Sequence, residues 1–75
     1  MSRLPALNYR EVVACLRRHG FEYLRPGKGS HEFWWHPETG KRTVIPRHPT
    51  REIAPRTLRQ ILRDLGLREE DLEGL

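Results

Sequence analysis

A single cysteine, no internal repeat and no long apolar run characterise this sequence. With Cys15 alone, no intramolecular disulfide can form, and neither a Cys-x-x-Cys pair nor a four-cysteine zinc framework can be drawn. Stability has to come from packing. Hydrophobic residues make up only 36% of the chain and mean hydropathy is -0.77, which leaves a thin core and nothing near the roughly 20 apolar residues that span a bilayer. The beginning also lacks a signal-peptide pattern, because Arg3 and Pro5 are soon followed by Asn8, Arg10 and Glu11. The expectation is a cytoplasmic protein with no membrane contact. Seventy-five residues are too few for a two-domain enzyme or a repeat array, so one domain over 1–75 is expected.

What the chain has in quantity is arginine. Fourteen Lys and Arg against ten Asp and Glu give a net charge of +4, and twelve of the fourteen cations are Arg, whose planar fork grips a phosphate with two hydrogen bonds. The charge is also unevenly placed. Residues 1–68 hold every cation and six acids and carry +8, whereas 69–75 form an acidic tail of charge -4. A polyanionic partner fits such a domain, although a general compositional bias toward Arg gives the same totals.

Periodicity predicts two helices around three strands. From Asn8 to Gly20, Asn8 and Glu11 stand at the N-cap and N3 positions of a capping box, Tyr9, Val12, Val13 and Leu16 make an apolar stripe, and Gly20 suits the position after the helix. From Phe21 to Pro46 aromatic and β-branched residues cluster between glycines and prolines, which reads as a three-stranded meander with strands at Phe21–Arg25, Ser30–His36 and Lys41–Ile45. Pro37-Glu38-Thr39-Gly40 is a hairpin turn between the last two. A second helix is expected from Pro55 to Gly66, with Leu58, Ile61, Leu62 and Leu65 on its inner face, and a frayed turn or brief helix from Glu69. The fold class is α+β, in the order α-β-β-β-α, with a three-stranded antiparallel sheet and both helices on one face. Alternation along the second strand divides Ser30, Glu32, Trp34 and His36 from His31, Phe33 and Trp35. Taking the more polar set as the wet one places His31 on the core side, half-buried at the rim.

The run Gly27-Lys28-Gly29-Ser30-His31 is the most informative in the chain. Two glycines allow close backbone approach to a ligand, Lys28 supplies charge, and a histidine exchanges protons near neutral pH. Cleavage of an RNA phosphodiester needs one group to take the 2′-hydroxyl proton, one to protonate the leaving oxygen and cations to steady the charge at phosphorus. His31 among Lys and Arg neighbours could do this without a metal. The structural alternative is a flexible turn next to a strand histidine with a satisfied hydrogen bond. His48, set in Pro46-Arg47-His48-Pro49 with a proline on each side, is a second acid-base or phosphate-binding candidate. His19 fits a helix C-terminus and His36 a solvated turn. No two histidines have the i, i+4 spacing of a helical metal site. Adjacent Trp34 and Trp35 must point to opposite faces; one belongs to the core, and the other is either cover over the sheet, the favoured reading, or a platform for base stacking. Arg56, Arg59 and Arg63 form a basic stripe on the second helix, as a phosphate rail or simply a solvated face, and Cys15 is structural filler.

Gly20-Phe21, Gly29-Ser30-His31, Pro46-Arg47-His48-Pro49 with Glu52-Ile53, and Thr57-Leu58-Arg59-Gln60-Ile61-Leu62 closing on Leu65-Gly66-Leu67 together resemble the HicA (YcfA-like) family of toxin-antitoxin ribonucleases, over about residues 8–67. The resemblance implies a fold similar to double-stranded-RNA-binding domains. It also implies an mRNA-cleaving endoribonuclease toxin without a cofactor, with His31 as its single catalytic histidine and a HicB-type antitoxin as the protein that holds it inactive. The RNA- or phosphate-binding residues would be Lys28, Gly29, Ser30, Arg47, His48 and Arg59. A non-catalytic RNA-binding module of the same fold is the alternative. Two departures stand out: Arg56 occupies a position where many members have Gly, and the loop before Gly29 is one residue longer than in several relatives.

Overall fold

The computed structural model describes residues 4–48 and 51–72. Pro49, the second of the prolines flanking His48, and Glu73 of the tail lie outside them. The order is α1 (Tyr9–Arg18), β1 (Glu22–Pro26), β2 (His31–Trp35), β3 (Arg42–Pro46), α2 (Pro55–Leu65) and a single 3-10 turn, Glu69–Leu72. The predicted α-β-β-β-α layout is found, with strand boundaries displaced by about one residue.

Local chemistry accounts for the helix ends. Asn8 Oδ1 accepts from the Glu11 amide at 2.9 Å, and Glu11 Oε1 accepts from the Asn8 amide at 3.0 Å, so the capping box is complete. Such a cap contributes about 1 kcal/mol. Helix α2 starts with Pro55, whose missing amide hydrogen costs nothing in the first turn, and stops at Gly66 with φ +70°. The stripe Val12, Val13, Cys15 and Leu16 of α1 meets Leu58, Ile61, Leu62 and Leu65 of α2 in one apolar core. An isolated antiparallel bridge between Asn8 and Glu52, with the Ile53 amide donating to the Leu7 carbonyl at 2.7 Å, ties the approaches to the two helices together.

The sheet has the order β1-β2-β3 and is antiparallel throughout. In β2–β3, Glu32 faces Ile45 and Trp34 faces Thr43, and these four residues are buried beneath the helices. Both helices lie on that face, because Tyr9 and Arg17 of α1 reach Glu32 and Trp34 while Asp64 of α2 accepts from Thr43 Oγ1 at 2.8 Å. The other face carries His31, Phe33 and Trp35 on β2 with Val44 and Arg42 opposite on β3, and β1 adds Arg25 opposite Phe33 after an irregularity at Leu24.

This reverses the expected pleat of β2. Trp34, 1% exposed, is the core tryptophan, and Trp35 lies half-buried on the outer face. His31 is exposed on that outer face, not half-buried on the core side. Counting polar residues fails here because Glu32 does not need water: its carboxylate accepts from Tyr9 Oη on α1 and from Trp34 Nε1 on its own strand, so the glutamate and Trp34 are buried together.

Of the two expectations for the acidic segment, the brief helix from Glu69 is the one found. Leu72 is 2% exposed and joins the core, and the Asp71 carbonyl accepts from Cys15 Sγ at 3.1 Å on α1. The turn is closed by Asp71 Oδ2, which accepts from the Arg68 amide at 2.7 Å.

Candidate functional site

The loop between β1 and β2 is a short main-chain clasp. The Gly27 amide donates to the His31 carbonyl at 2.8 Å and the His31 amide donates to the Lys28 carbonyl at 3.1 Å, so the chain turns back on itself just before β2 begins. Gly29 makes the turn at φ +62°. Gly27 serves a different need: a Cβ there would stand 3.3 Å from His31 Cβ, the His31 carbonyl oxygen and the Phe33 ring. Across the sheet, the Arg47 amide donates to the Ser30 carbonyl at 2.8 Å, and His31 pairs with Pro46. Backbone hydrogen bonds therefore assemble Lys28, Gly29, Ser30 and Arg47 around His31, and all five residues are exposed. The His31 ring makes no hydrogen bond or ion pair among the described residues, which leaves both nitrogens open to a ligand.

The other predicted residues lie further out. His48 is exposed one step beyond Arg47 and lines a cleft of about 250 Å³ with Arg51, Glu52 and Thr57, leading toward the start of α2. Arg59 is not brought to the loop. It stands on α2 with Arg63, along a cleft of about 400 Å³ that passes Arg68 and runs to the acidic turn. Arg56 is exposed at the start of α2. Of the remaining histidines, His19 is the C-cap of α1. His36 is less solvated than expected: half-buried, it meets Phe21 edge-to-face at 5.1 Å and accepts from the Glu38 amide at 3.2 Å through Nδ1. Cys15 is fully buried, and burial pushes its thiol pKa up, so it is the inert filler expected.

Sequence reasoning missed the group beneath the site. Glu32, the residue after His31, points inward, where its Oε1 accepts from Tyr9 Oη at 2.6 Å and from Trp34 Nε1 at 3.1 Å. Its Oε2 lies 3.8 Å from Arg47 Nη1. One carboxylate thus links α1, the core tryptophan and the residue that flanks Ser30. Desolvation, reinforced by the hydrogen bond to Glu32 and its charge, pushes the Tyr9 phenol up to about 12, with Arg47 and Arg17 opposing the shift. The only local signal was an acid set among aromatic residues within a strand. Among the described residues no group of three or more His, Cys, Asp or Glu is placed to hold a metal ion, and no helix is long and apolar enough to cross a membrane.

An open three-stranded sheet backed by two helices, with an accessible histidine where a glycine-rich clasp enters the central strand, defines a small basic α+β domain. A family model described as the HicA toxin of bacterial toxin-antitoxin systems matches residues 9–67, and the chain belongs to the HicA toxin family. No curated protein matches the chain.

Proposed function

We propose that this toxin is a metal-independent endoribonuclease that cleaves mRNA in the cytoplasm and is neutralised by a HicB-type antitoxin. The observation that carries the reading is His31: the histidine expected from the family resemblance is an exposed group with both ring nitrogens open, beside Lys28 and Arg47. In the proposed reaction a 2′-oxygen attacks the adjacent phosphorus and the bond to the 5′-oxygen breaks. His31 serves as general base toward the 2′-hydroxyl or as general acid toward the departing oxygen. Lys28, Arg47 and His48 hold the phosphate, and the Gly29-Ser30 backbone lets it approach. Arg59, on the far layer, contributes only a secondary contact to a longer strand.

Purified wild-type protein and a His31→Ala variant incubated with total RNA in the presence of EDTA provide the test. Cleavage by the wild type that persists in EDTA and falls about 100- to 10,000-fold in the variant supports the assignment. The variant should also fail to arrest growth on expression. Equal RNA decay by both forms would remove His31 from the chemistry. Salt-dependent binding without products would leave a non-catalytic RNA-binding module.

A further inference from the structure

The outer face of the sheet has no helix over it among the described residues, and it continues directly from His31. Phe33 and Trp35 follow His31 at every second position of β2, so their rings rise on the same side of the pleat about 6–7 Å apart. Both are half-buried, which leaves ring surface accessible. The residues paired with them are mainly cationic or neutral. The Arg25 guanidinium lies 4.1 Å over the Phe33 ring, Arg42 is opposite Trp35, and Val44 is opposite Phe33; Glu22, opposite Trp35 on β1, is the one acid in these pairs.

We propose that this face is a stacking platform for unpaired RNA, with one base on Trp35, the next on the Arg25 guanidinium that Phe33 supports from beneath, and the phosphodiester beyond them delivered to His31. The identity of the ligand rests on the ribonuclease reading above; the geometry of the platform does not. Three features favour RNA over a protein partner on this face. Aromatic rings interleaved with Arg suit the π-faces and phosphates of a single strand. The strand direction leads from the rings to the proton-transfer group. The domain that carries them has a charge of +8 over residues 1–68. An unpaired strand also suits the chemistry, because in-line attack by a 2′-oxygen needs backbone freedom that a duplex withholds. The topology resembles duplex-binding domains, but the exposed aromatic sheet works as in modules that splay single-stranded bases onto a sheet.

The test uses the wild-type chain with a fluorescent, 2′-O-methylated oligonucleotide that cannot be cleaved, as a single strand and as a duplex. The expected result is tighter binding of the single strand, with quenching of the part of tryptophan emission that comes from Trp35. Trp35→Phe should keep affinity within a few-fold while abolishing that quenching. Trp35→Ala and Phe33→Ala, checked for wild-type circular dichroism, should each weaken binding about 5- to 100-fold. Unchanged affinity in both folded alanine variants, tighter binding of the duplex, or unquenched emission at saturation would overturn the proposal. So would RNA affinity indifferent to Trp35→Ala while antitoxin binding is lost, which would give the face to a protein. If RNA is cleaved normally but these variants bind as wild type, the platform alone fails; stacking without cleavage defeats only the ribonuclease reading.

Discussion

Truncating Glu32 to alanine would leave the Trp34 indole N–H buried without an acceptor and deprive the Tyr9 hydroxyl of its partner. A stranded buried donor costs about 1–3 kcal/mol, so Glu32→Ala should lower the urea midpoint by an amount of that order, whereas Glu32→Gln, which still offers a carbonyl, should lose less. Burial of the Tyr9 phenol, reinforced by the same contact, makes stability depend on alkaline pH. The Tyr9 phenol is held at about 12 in the folded state against 10.0 ordinarily, so its contribution is complete below pH 10 and disappears as pH rises toward 12. Thermal melts at pH 9, 10, 11 and 12 should show a decline that Tyr9→Phe flattens. None of this was legible locally, because Tyr9 and Arg47 are far from Glu32 in sequence and meet it only when α1 and the end of β3 come together. The place of His31 at the start of β2, by contrast, was legible from its neighbours, though the face it occupies was not: glycines on one side and an aromatic strand on the other fix where the chain must turn.

At the scale of the element, caps and turns were the most readable features, since each rests on a few adjacent residues. The capping box at Asn8 and the left-handed glycine at Gly66 stand where the residue pattern put them. The face of β2 was not readable in that way, because alternation gives two sets of residues and does not say which is buried. Polarity suggested one answer, and the hydrogen bonds that Trp34 and Tyr9 give to Glu32 go with the other. The clasp at the start of β2 offers a check on how rigidly His31 is held. At Gly29 a side chain would meet nothing within 4 Å, so Gly29→Ala carries only the left-handed backbone penalty, about 1–2 kcal/mol. Gly27→Ala presses on His31 itself. Cleavage assays at a temperature where both variants remain folded should show Gly27→Ala more impaired than Gly29→Ala.

On the scale of the whole molecule, the one dense acidic cluster is kept away from the outer sheet face. The acidic turn is docked on α1, in the helical layer, while the outer sheet face and the loop before β2 keep their Arg and Lys. RNA affinity should therefore fall linearly in log–log plots against salt, with a slope that drops by about one for each phosphate-contacting cation removed, Arg47→Ala among them. The turn is also structural. Leu72 lies beyond the residues matched by the family model yet is buried in the core. Leu72→Ala should destabilise the domain by about 2–4 kcal/mol in urea unfolding.

The pleat of β2 has one further consequence, for insertions and deletions. His31 and Trp34 are an odd number of residues apart, so any chain that seats the tryptophan in the core must turn the histidine outward. The parity is set after His31, and the number of residues before it is irrelevant to it. A residue added to the loop ahead of Gly29 can be absorbed without disturbing the histidine's orientation. A single-residue deletion between His31 and Trp34 cannot be absorbed: it must sacrifice either the core or the accessible histidine. Loop length in this domain is free to vary, and strand length is not.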